Sequence, residues 1–163
     1  MDKRFTILVV DDEPVNVQLF SSALRTEYDI VTAQNGHEAI SRLKECPPDL
    51  ILLDVMMPDI NGFDVCKIIK ANAAFVDIPV IFLTAMDTHE GARQGFDTGG
   101  IDYLTKPVEL DLLKLRVRNH IESKARNDLV KEQRDQLAQQ KEELEEALAR
   151  VKQLEGIITI CMY

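Results

Sequence analysis

Residues 49–64 have the sequence DLILLDVMMPDINGFD, which contains one strand, one turn and the start of one helix. The first part is a run of aliphatic residues without alternating polar positions, and this pattern predicts a strand buried on both faces. The second part contains Asn61-Gly62, a turn signal, just before apolar residues at helical spacing. A buried strand followed by a helix is the repeating unit of a parallel sheet covered by helices.

The same unit recurs from Phe5 to about His120. Aliphatic runs predict five strands, at residues 5–10, 28–33, 49–54, 79–84 and 101–105. Helical stretches begin near Pro14, Gly36, Gly62 and Thr88, and a fifth follows Pro107. This alternation predicts an α/β fold with an open, doubly wound parallel sheet and helices on both faces.

The composition excludes several classes of protein. The 163 residues are 45% apolar and 29% charged, as expected for one globular domain with an appendage. The net charge of −9 repels polyanions, so we expect no direct nucleic-acid binding. Cys46, Cys66 and Cys161 are too widely spaced for a disulfide framework or a metal pair, which favours the reducing cytoplasm. The apolar run at the N-terminus is far shorter than the roughly 20 residues that cross a bilayer, so we expect no membrane anchor.

After about Ile121 the sequence becomes rich in Gln, Glu, Lys and Arg, which predicts one long helix. Aliphatic residues recur every seven positions, at Val130, Leu137, Leu144 and Val151. The positions three residues later hold Gln133, Gln140, Ala147 and Leu154. This heptad spacing predicts a coiled coil that pairs two copies in parallel and becomes more apolar toward its C-terminal end. Val117, Ile121 and Ala125 are out of phase with it, which leaves the register across residues 121–130 open.

Polar side chains follow four of the five predicted strands. They are Asp11 and Asp12, Asp54, Thr84, and Lys106. Parallel strands end at one edge of a sheet, where such sheets carry their sites, so these side chains are expected to converge. Three converging carboxylates repel one another, and hard oxygen ligands of this kind suit magnesium or manganese. A carboxylate beside such a cation, with an amine and a hydroxyl nearby, can attack phosphorus.

These residues belong to four motifs that resemble the receiver domains of two-component response regulators, over residues 5 to about 121. The motifs are ILVVDDEPVN (7–16), LILLDVMMPDINGFD (50–64), VIFLTA (80–85) and GIDYLTKPV (100–108). The resemblance implies a flavodoxin-like sheet of five strands in the order 2-1-3-4-5. It also implies a sensor histidine kinase or a phosphotransfer protein as the partner that supplies the phosphoryl group.

The resemblance implies a role for each carboxylate. Asp54 would be the phosphoacceptor, in a reaction that depends on Mg²⁺. Asp12 would bind the cation directly, Asp11 would act largely through water, and the backbone carbonyl of Met56 would be a further ligand. The predicted metal site therefore consists of Asp11, Asp12, Asp54 and Met56.

The resemblance also assigns roles at the ends of the last two strands. Lys106 would pair with the phosphoryl group, and the Thr84 hydroxyl would move to bond with it. Tyr103 would turn inward when Thr84 moves, so that the two form a switch. The Lys106–Pro107 peptide bond is cis in relatives. Gly99-Gly100 stands where a small residue followed by alanine is commoner, and we expect it to loosen the turn before the fifth strand.

The sequence thus predicts three segments: a receiver domain at residues 1–121, a coiled-coil signalling helix at 122–155 and an apolar tail at 156–163. Gly156 is expected to interrupt the helix, and the tail is either a short packing segment or the start of a truncated output module. The predicted function is cytoplasmic, phosphorylation-dependent signal transduction through a homodimer. No enzyme activity is expected beyond self-phosphorylation and slow autodephosphorylation.

Plainer interpretations exist for single residues. Asp11 or Asp12 alone could cap a helix beginning at Pro14, and Lys106 alone would be read as a surface charge. The joint occurrence of the polar strand ends outweighs these interpretations. His37, His89 and His120 are scattered, and we assign them no role. Three alternatives for function stay open: a phosphatase or phosphotransferase acting on a small substrate, a constitutive dimerisation scaffold, and the regulatory fragment of a larger effector enzyme.

Overall fold

The computed structural model describes residues 3–85 and 89–161, without the side chains of residues 89–90 and 157–161. In this part of the chain, five strands alternate with five helices. In chain order they are β1 (Thr6–Val10), α1 (Pro14–Leu24), β2 (Asp29–Ala33), α2 (Gly36–Glu45), β3 (Leu50–Asp54), α3 (Gly62–Ala71), β4 (Val80–Thr84), α4 (His89–Asp97), β5 (Asp102–Thr105) and α5 (Leu110–Cys161). The strands form one parallel sheet in the order β2-β1-β3-β4-β5, which confirms the predicted fold and strand order.

The sheet separates two apolar cores. Because successive side chains of a strand point to opposite faces, Leu8 and Val10 of β1 pack with α2 and α3, whereas Ile7 and Val9 pack with α1 and α5. Strands β3 and β4 are buried along their whole length. This burial on both faces explains why these segments carry unbroken aliphatic runs.

The register brings the carboxyl ends of four strands to one edge. The paired residues nearest that edge are Val10 with Leu53, Asp54 with Leu83, and Thr84 with Thr105. The backbone ladder continues just beyond the strands: the Asp11 amide donates to the Ala33 carbonyl at 3.2 Å and the Lys106 amide to the Thr84 carbonyl at 2.7 Å. These hydrogen bonds position the residues that directly follow β1 and β5 as continuations of the sheet.

Local signals explain most element boundaries. Helices α1, α2 and α3 begin at the predicted residues, and α2 and α3 are capped by the side chains of Asn35 and Asn61. Each strand begins one residue later than predicted. The predicted start of the fourth helix near Thr88 lies outside the described residues.

The turn before β5 is closed by hydrogen bonds, contrary to the expectation that Gly99-Gly100 would loosen it. The Gly100 amide donates to the Gly95 carbonyl at 3.1 Å, and the Gly99 amide to the Phe96 carbonyl at 3.0 Å. Gly99 has a φ of +103°, a backbone conformation that glycine adopts without strain. A Cβ on Gly100 would lie 2.3 Å from the Phe82 ring, so packing explains why alanine is absent here.

The chain divides into two compact units, Met1–Lys124 and Ala125–Tyr163, which α5 links. In the first unit α5 buries Leu113, Val117 and Ile121. The expectation that Gly156 interrupts this helix is wrong, since the helix continues to Cys161. One glycine costs a helix only about 1 kcal/mol, which the residues around it can outweigh. No helix among the described residues is both long and apolar enough to span a membrane.

We expect Gly62→Ala to destabilise the receiver unit strongly. A Cβ there would lie 2.3 Å from the backbone oxygen of Asp54, so α3 would have to move away from β3. Overpacking of this kind costs about 1–3 kcal/mol. Gly156→Ala is the matched control, because nothing lies within 4 Å of its added Cβ. Urea denaturation followed by circular dichroism should show a lower midpoint for Gly62→Ala alone, and equal midpoints would contradict the packing argument.

Candidate functional site

Three carboxyl groups converge at the carboxyl edge of the sheet, as the sequence predicts. Carboxylate oxygens of Asp11, Asp12 and Asp54 all lie within 4.8 Å of one another. Asp11 and Asp12 directly follow β1, and Asp54 is the last residue of β3. Asp11 and Asp54 are buried, whereas Asp12 is partly open to solvent. One side of the cluster is thus accessible, while its two inner carboxylates have lost most of their hydration.

The amine of Lys106 reaches into this cluster. Its Nζ lies 2.7 Å from Asp11 Oδ2 and 3.4 Å from Asp54 Oδ1. The peptide bond from Lys106 to Pro107 is cis, as the resemblance implies. Burial alone would lower the pKa of Lys106, but the hydrogen bond to Asp11 and the charge of Asp54 outweigh it and raise that pKa above its usual value. The amine therefore stays cationic at neutral pH.

The carboxyl group of Asp54 is the most strongly perturbed acid in the cluster. Burial and the charge of Asp11 raise the pKa of Asp54 to about 7, although the Lys106 amine opposes this. The ammonium group of Lys106 therefore does not supply enough positive charge to balance the ionised carboxylate of Asp54. Three hard oxygen donors, one side open to water and this deficit of positive charge fit a divalent cation such as Mg²⁺.

The remaining predicted residues lie on β4 and β5 and just after β3. Thr84 ends β4 and is fully buried. Tyr103, beside Phe82 in the sheet register, is partly buried against the core on the α2 and α3 face. The Met56 amide donates to Asp54 Oδ1 at 3.3 Å, while the Met56 side chain is 61% exposed. The metal-binding role of the Met56 carbonyl and the switch role of Tyr103 stay predictions.

The sequence analysis missed Asp59, which lies in the loop between β3 and α3. Its carboxylate accepts hydrogen bonds from the amides of Gly36 at 3.2 Å and His37 at 3.1 Å, at the start of α2. The His37 ring adds a contact of 2.7 Å between Nδ1 and Asp59 Oδ2. Burial opposes ionisation, but amide donors from Ile60, His37 and Gly36 hold the pKa of Asp59 well below its usual value. No local signal marks this contact, because its partners lie more than twenty residues earlier.

The described histidine side chains have carboxylate partners. His37 meets Asp59, and His120 Nε2 lies 2.8 Å from Asp102 Oδ2. Asp102 also lies 3.4 Å from Arg116 and so connects the start of β5 with α5. The interpretation that the histidines have no catalytic role stays a prediction, and the His89 side chain lies outside the described part of the chain.

Comparison with known proteins identifies the first unit. The family described as response regulator receiver domain matches residues 7–118. A protein of Vibrio cholerae named a probable cyclic di-GMP phosphodiesterase is 42% identical over 132 residues, which are 81% of this chain and 30% of that protein. The response regulator PleD of Caulobacter vibrioides is 43% identical over 114 residues, which are 69% of this chain and 25% of that protein. The chain thus spans less than a third of the length of these two relatives.

Solved structures share the same fold. The receiver domain of the Francisella response regulator 1452 is 31% identical, with a TM-score of 0.69, and the match covers 74% of this chain and 98% of that one. The beryllofluoride-activated DrrB receiver domain is also 31% identical, with a TM-score of 0.68 and coverage of 74% and 99%. The match thus takes in nearly the whole of each of these receivers and leaves out about a quarter of this chain. By sequence and by fold alike, the chain belongs to the family of two-component response regulator receiver domains.

Proposed function

We propose that the chain is a phosphorylation-controlled switch in which Asp54 accepts a phosphoryl group from a sensor histidine kinase or a phosphotransfer protein. The observation that carries this proposal is the position of the Asp54 carboxyl group. It is 3% exposed, 3.4 Å from the Lys106 amine and within 4.8 Å of two further carboxylates. The positive charge of Lys106 alone does not balance these carboxylates, so the Asp54 carboxylate is suited to act as a nucleophile beside a bound cation.

The proposed cation is Mg²⁺, with Mn²⁺ as a substitute. Asp12 and Asp54 would bind it directly with the Met56 carbonyl, and Asp11 would act largely through water. When bound, the cation offsets the charge of the carboxylates and of the phosphoryl oxygens. The pKa of Asp54, raised by burial and then by the charge of Asp11, supports this assignment, because a bound cation would stabilise the ionised carboxylate.

The side chains around Asp54 supply the rest of the reaction. An oxygen of the Asp54 carboxylate forms a bond to phosphorus as the bond from phosphorus to the donor nitrogen breaks, and the product is an acyl phosphate. The Lys106 amine, already within reach of both buried carboxylates, pairs with the phosphoryl oxygens. The Thr84 hydroxyl, at the end of the neighbouring strand, moves to bond with the same group.

The state of the pocket then passes through β5 to α5. Tyr103 follows Asp102, whose carboxylate contacts both Arg116 and His120 of α5. We propose that Tyr103 turns inward when Thr84 moves and that this shift reaches α5. The coiled coil formed by α5 carries it to an output as part of a homodimer.

The relatives favour an output module outside this chain. One relative is named as a cyclic di-GMP phosphodiesterase, and others are named as transcriptional regulators. The chain spans 30–48% of these relatives, so we propose that it is the regulatory part of a larger effector and acts in the cytoplasm. The chain itself would catalyse only its own phosphorylation and slow autodephosphorylation. Its net charge of −9 supports a role without direct contact to nucleic acid.

A constitutive dimerisation scaffold is the second candidate. It is favoured by the aliphatic stripe of α5, in which Val130, Leu137, Leu144 and Val151 are all about half or more exposed. Such a stripe would pair whatever the state of Asp54. The two candidates differ in whether the assembly responds to phosphorylation.

Incubation with acetyl phosphate and MgCl₂ should add one phosphoryl group to the chain, detected by intact-mass spectrometry. We expect Asp54→Asn to abolish the mass gain, because the amide cannot form the acyl phosphate. Asp64→Asn, which changes an exposed aspartate in the first turn of α3, is the control and should react normally. Equal labelling of the wild type and Asp54→Asn would place the acceptor elsewhere.

Asp54→Asn should also change how stability depends on pH when a chelator is present. Because the pKa of Asp54 in the folded state lies above its ordinary value of 3.8, folding takes up a proton. The stability contributed by this group is complete below the unfolded pKa and is lost as the pH rises toward 7. The asparagine side chain does not titrate, so the variant does not lose this stability. Relative to the wild type, its free energy of unfolding should therefore rise by about 2 kcal/mol between about pH 5 and about pH 8.

Urea denaturation at the two pH values measures this gain. Added MgCl₂ should reduce it at the higher pH, because the cation stabilises ionised Asp54. A difference between the two proteins that does not change with pH would contradict the raised pKa.

Light scattering separates the switch from the scaffold. With MgCl₂ and beryllofluoride, a phosphoryl mimic, the switch predicts a change in the mass or hydrodynamic radius of the wild type that Asp54→Ala lacks. A scaffold predicts the same dimer under every condition. Identical cross-linking along Leu137, Leu144 and Val151 with and without the mimic would count against transmission through the coil.

A further inference from the structure

The second unit of the chain, residues 125–163, presents an apolar stripe to solvent. Its aliphatic members at one heptad position, Val130, Leu137, Leu144 and Val151, are 51%, 66%, 63% and 49% exposed. Leu154, on the adjoining seam position, is 58% exposed. A stripe that runs for more than three heptads along one helix matches in length and shape only another helix with the same spacing. A second copy of this chain has that spacing by definition.

Two glutamines interrupt this stripe. Gln133 and Gln140 occupy the seam positions that Ala147 and Leu154 occupy further along the helix, and both glutamines are exposed in the single chain. In a parallel pair without offset, each glutamine faces the same glutamine of the second copy, so the two side-chain amides can form hydrogen bonds with each other. A slip of one heptad would set Gln140 against Ala147 and leave a buried amide without a partner. The glutamines therefore penalise wrong registers.

The flanking charges are complementary to a second copy of the helix. In an aligned parallel pair, Arg150 of one helix faces Glu155 of the other, five residues further on, and no like charges meet at the flanking positions. An antiparallel pair with Val130 opposite Leu154 would instead place Lys141 against Lys141 and Glu143 against Glu143 of the second copy. Like charges at such positions destabilise a pair. Shifting this antiparallel pair by one heptad would set Glu143 against Arg150, but it would also set Gln140 against Val151 and leave a buried amide without a partner. The flanking charges thus fit a second copy, and the glutamines favour the parallel orientation.

We propose that residues 130–154 pair with the same residues of a second copy, parallel and without offset, and that Gln133 and Gln140 fix this register at a cost in affinity. This inference rests on the proposed homodimer, for which the heptad spacing already predicts a parallel pair, and adds the alignment of the two helices and the residues that determine it. The seam is then strong from Leu144 to Leu154 and weaker from Val130 to Gln140. The weaker half is the one nearer the receiver in sequence, so it is the section of the coil that can rearrange without separating the two chains.

The first test measures the dimer dissociation constant of the full chain by sedimentation equilibrium. Gln140→Leu should tighten the dimer at least about tenfold, because it replaces a polar seam layer with an apolar one. Gln153→Leu is the matched control; position 153 lies outside the seam and is exposed, so its constant should stay within about twofold of the wild type. Equal effects of the two substitutions, or a chain that stays monomeric in every variant, would overturn the proposal.

The second test exchanges the flanking charges. Arg150→Glu and Glu155→Arg should each weaken the dimer, and the double variant should recover to within about twofold of the wild type. Residues 150 and 155 are five apart, so they do not face each other within one helix, and the recovery has to come from the partner helix. Arg150 also lies 3.9 Å from Glu146, so the single substitutions alone would not decide the point. Effects that simply add in the double variant would rule out the parallel, aligned pair.

Phosphorylation by acetyl phosphate, measured on the same coil variants, separates this inference from the proposed function. Every coil variant should accept the phosphoryl group, because none of the substitutions touches the acidic cluster. If labelling is normal but the double variant at positions 150 and 155 does not recover its dimer affinity, only the coil arrangement is overturned. Loss of labelling in the wild type would overturn the phosphoacceptor instead.

Discussion

Electrostatic repulsion at the carboxyl edge of the sheet is the constraint on which the receiver depends. Oxygens of two buried carboxylates and of a third beside them lie within 4.8 Å of one another, and the Lys106 amine contacts the two buried ones. Two unit charges at that distance repel by about 3 kcal/mol at an effective dielectric constant of about 20. The fold has to hold these groups together against that repulsion, which adds to burial in raising the pKa of Asp54. Because its carboxylates repel one another, the site responds strongly to any added charge, whether of a cation or of a phosphoryl group.

The two-sided core resists this repulsion. Strands β3 and β4 are buried throughout, so the backbone that carries Asp54 and Thr84 is packed from both faces. The Lys106 amide extends the ladder to β4, which fixes the lysine relative to the carboxylates. Gly62 adds a further restriction, because α3 approaches the Asp54 carbonyl too closely for any side chain. Packing energy spread over the whole sheet thus maintains an unfavourable arrangement of a few charged groups.

The features that the sequence predicts well are those with local or strictly periodic causes. The strands were recognisable because double burial demands aliphatic runs, and Asp11, Asp54 and Lys106 because parallel strands end at one edge. The features that it predicts poorly depend on contacts between distant segments. Asp59 meets α2 through residues more than twenty positions earlier. The tight turn at Gly99-Gly100 depends on the Phe82 ring, and the helix continues through Gly156 because one weak residue does not outweigh its neighbours.

The contact between Asp59 and the start of α2 restrains one side of the pocket more than the other. The loop that follows Asp54 is anchored at Asp59 by two backbone amides and a histidine ring, and it is closed at Gly62 by direct backbone packing. This wall of the pocket has little freedom to yield when a bulky group is attached to Asp54. In the proposed switch, the displacement would therefore fall on the opposite wall, formed by the ends of β4 and β5. Helix α2 and its anchored loop would then be the part of the receiver that stays in place.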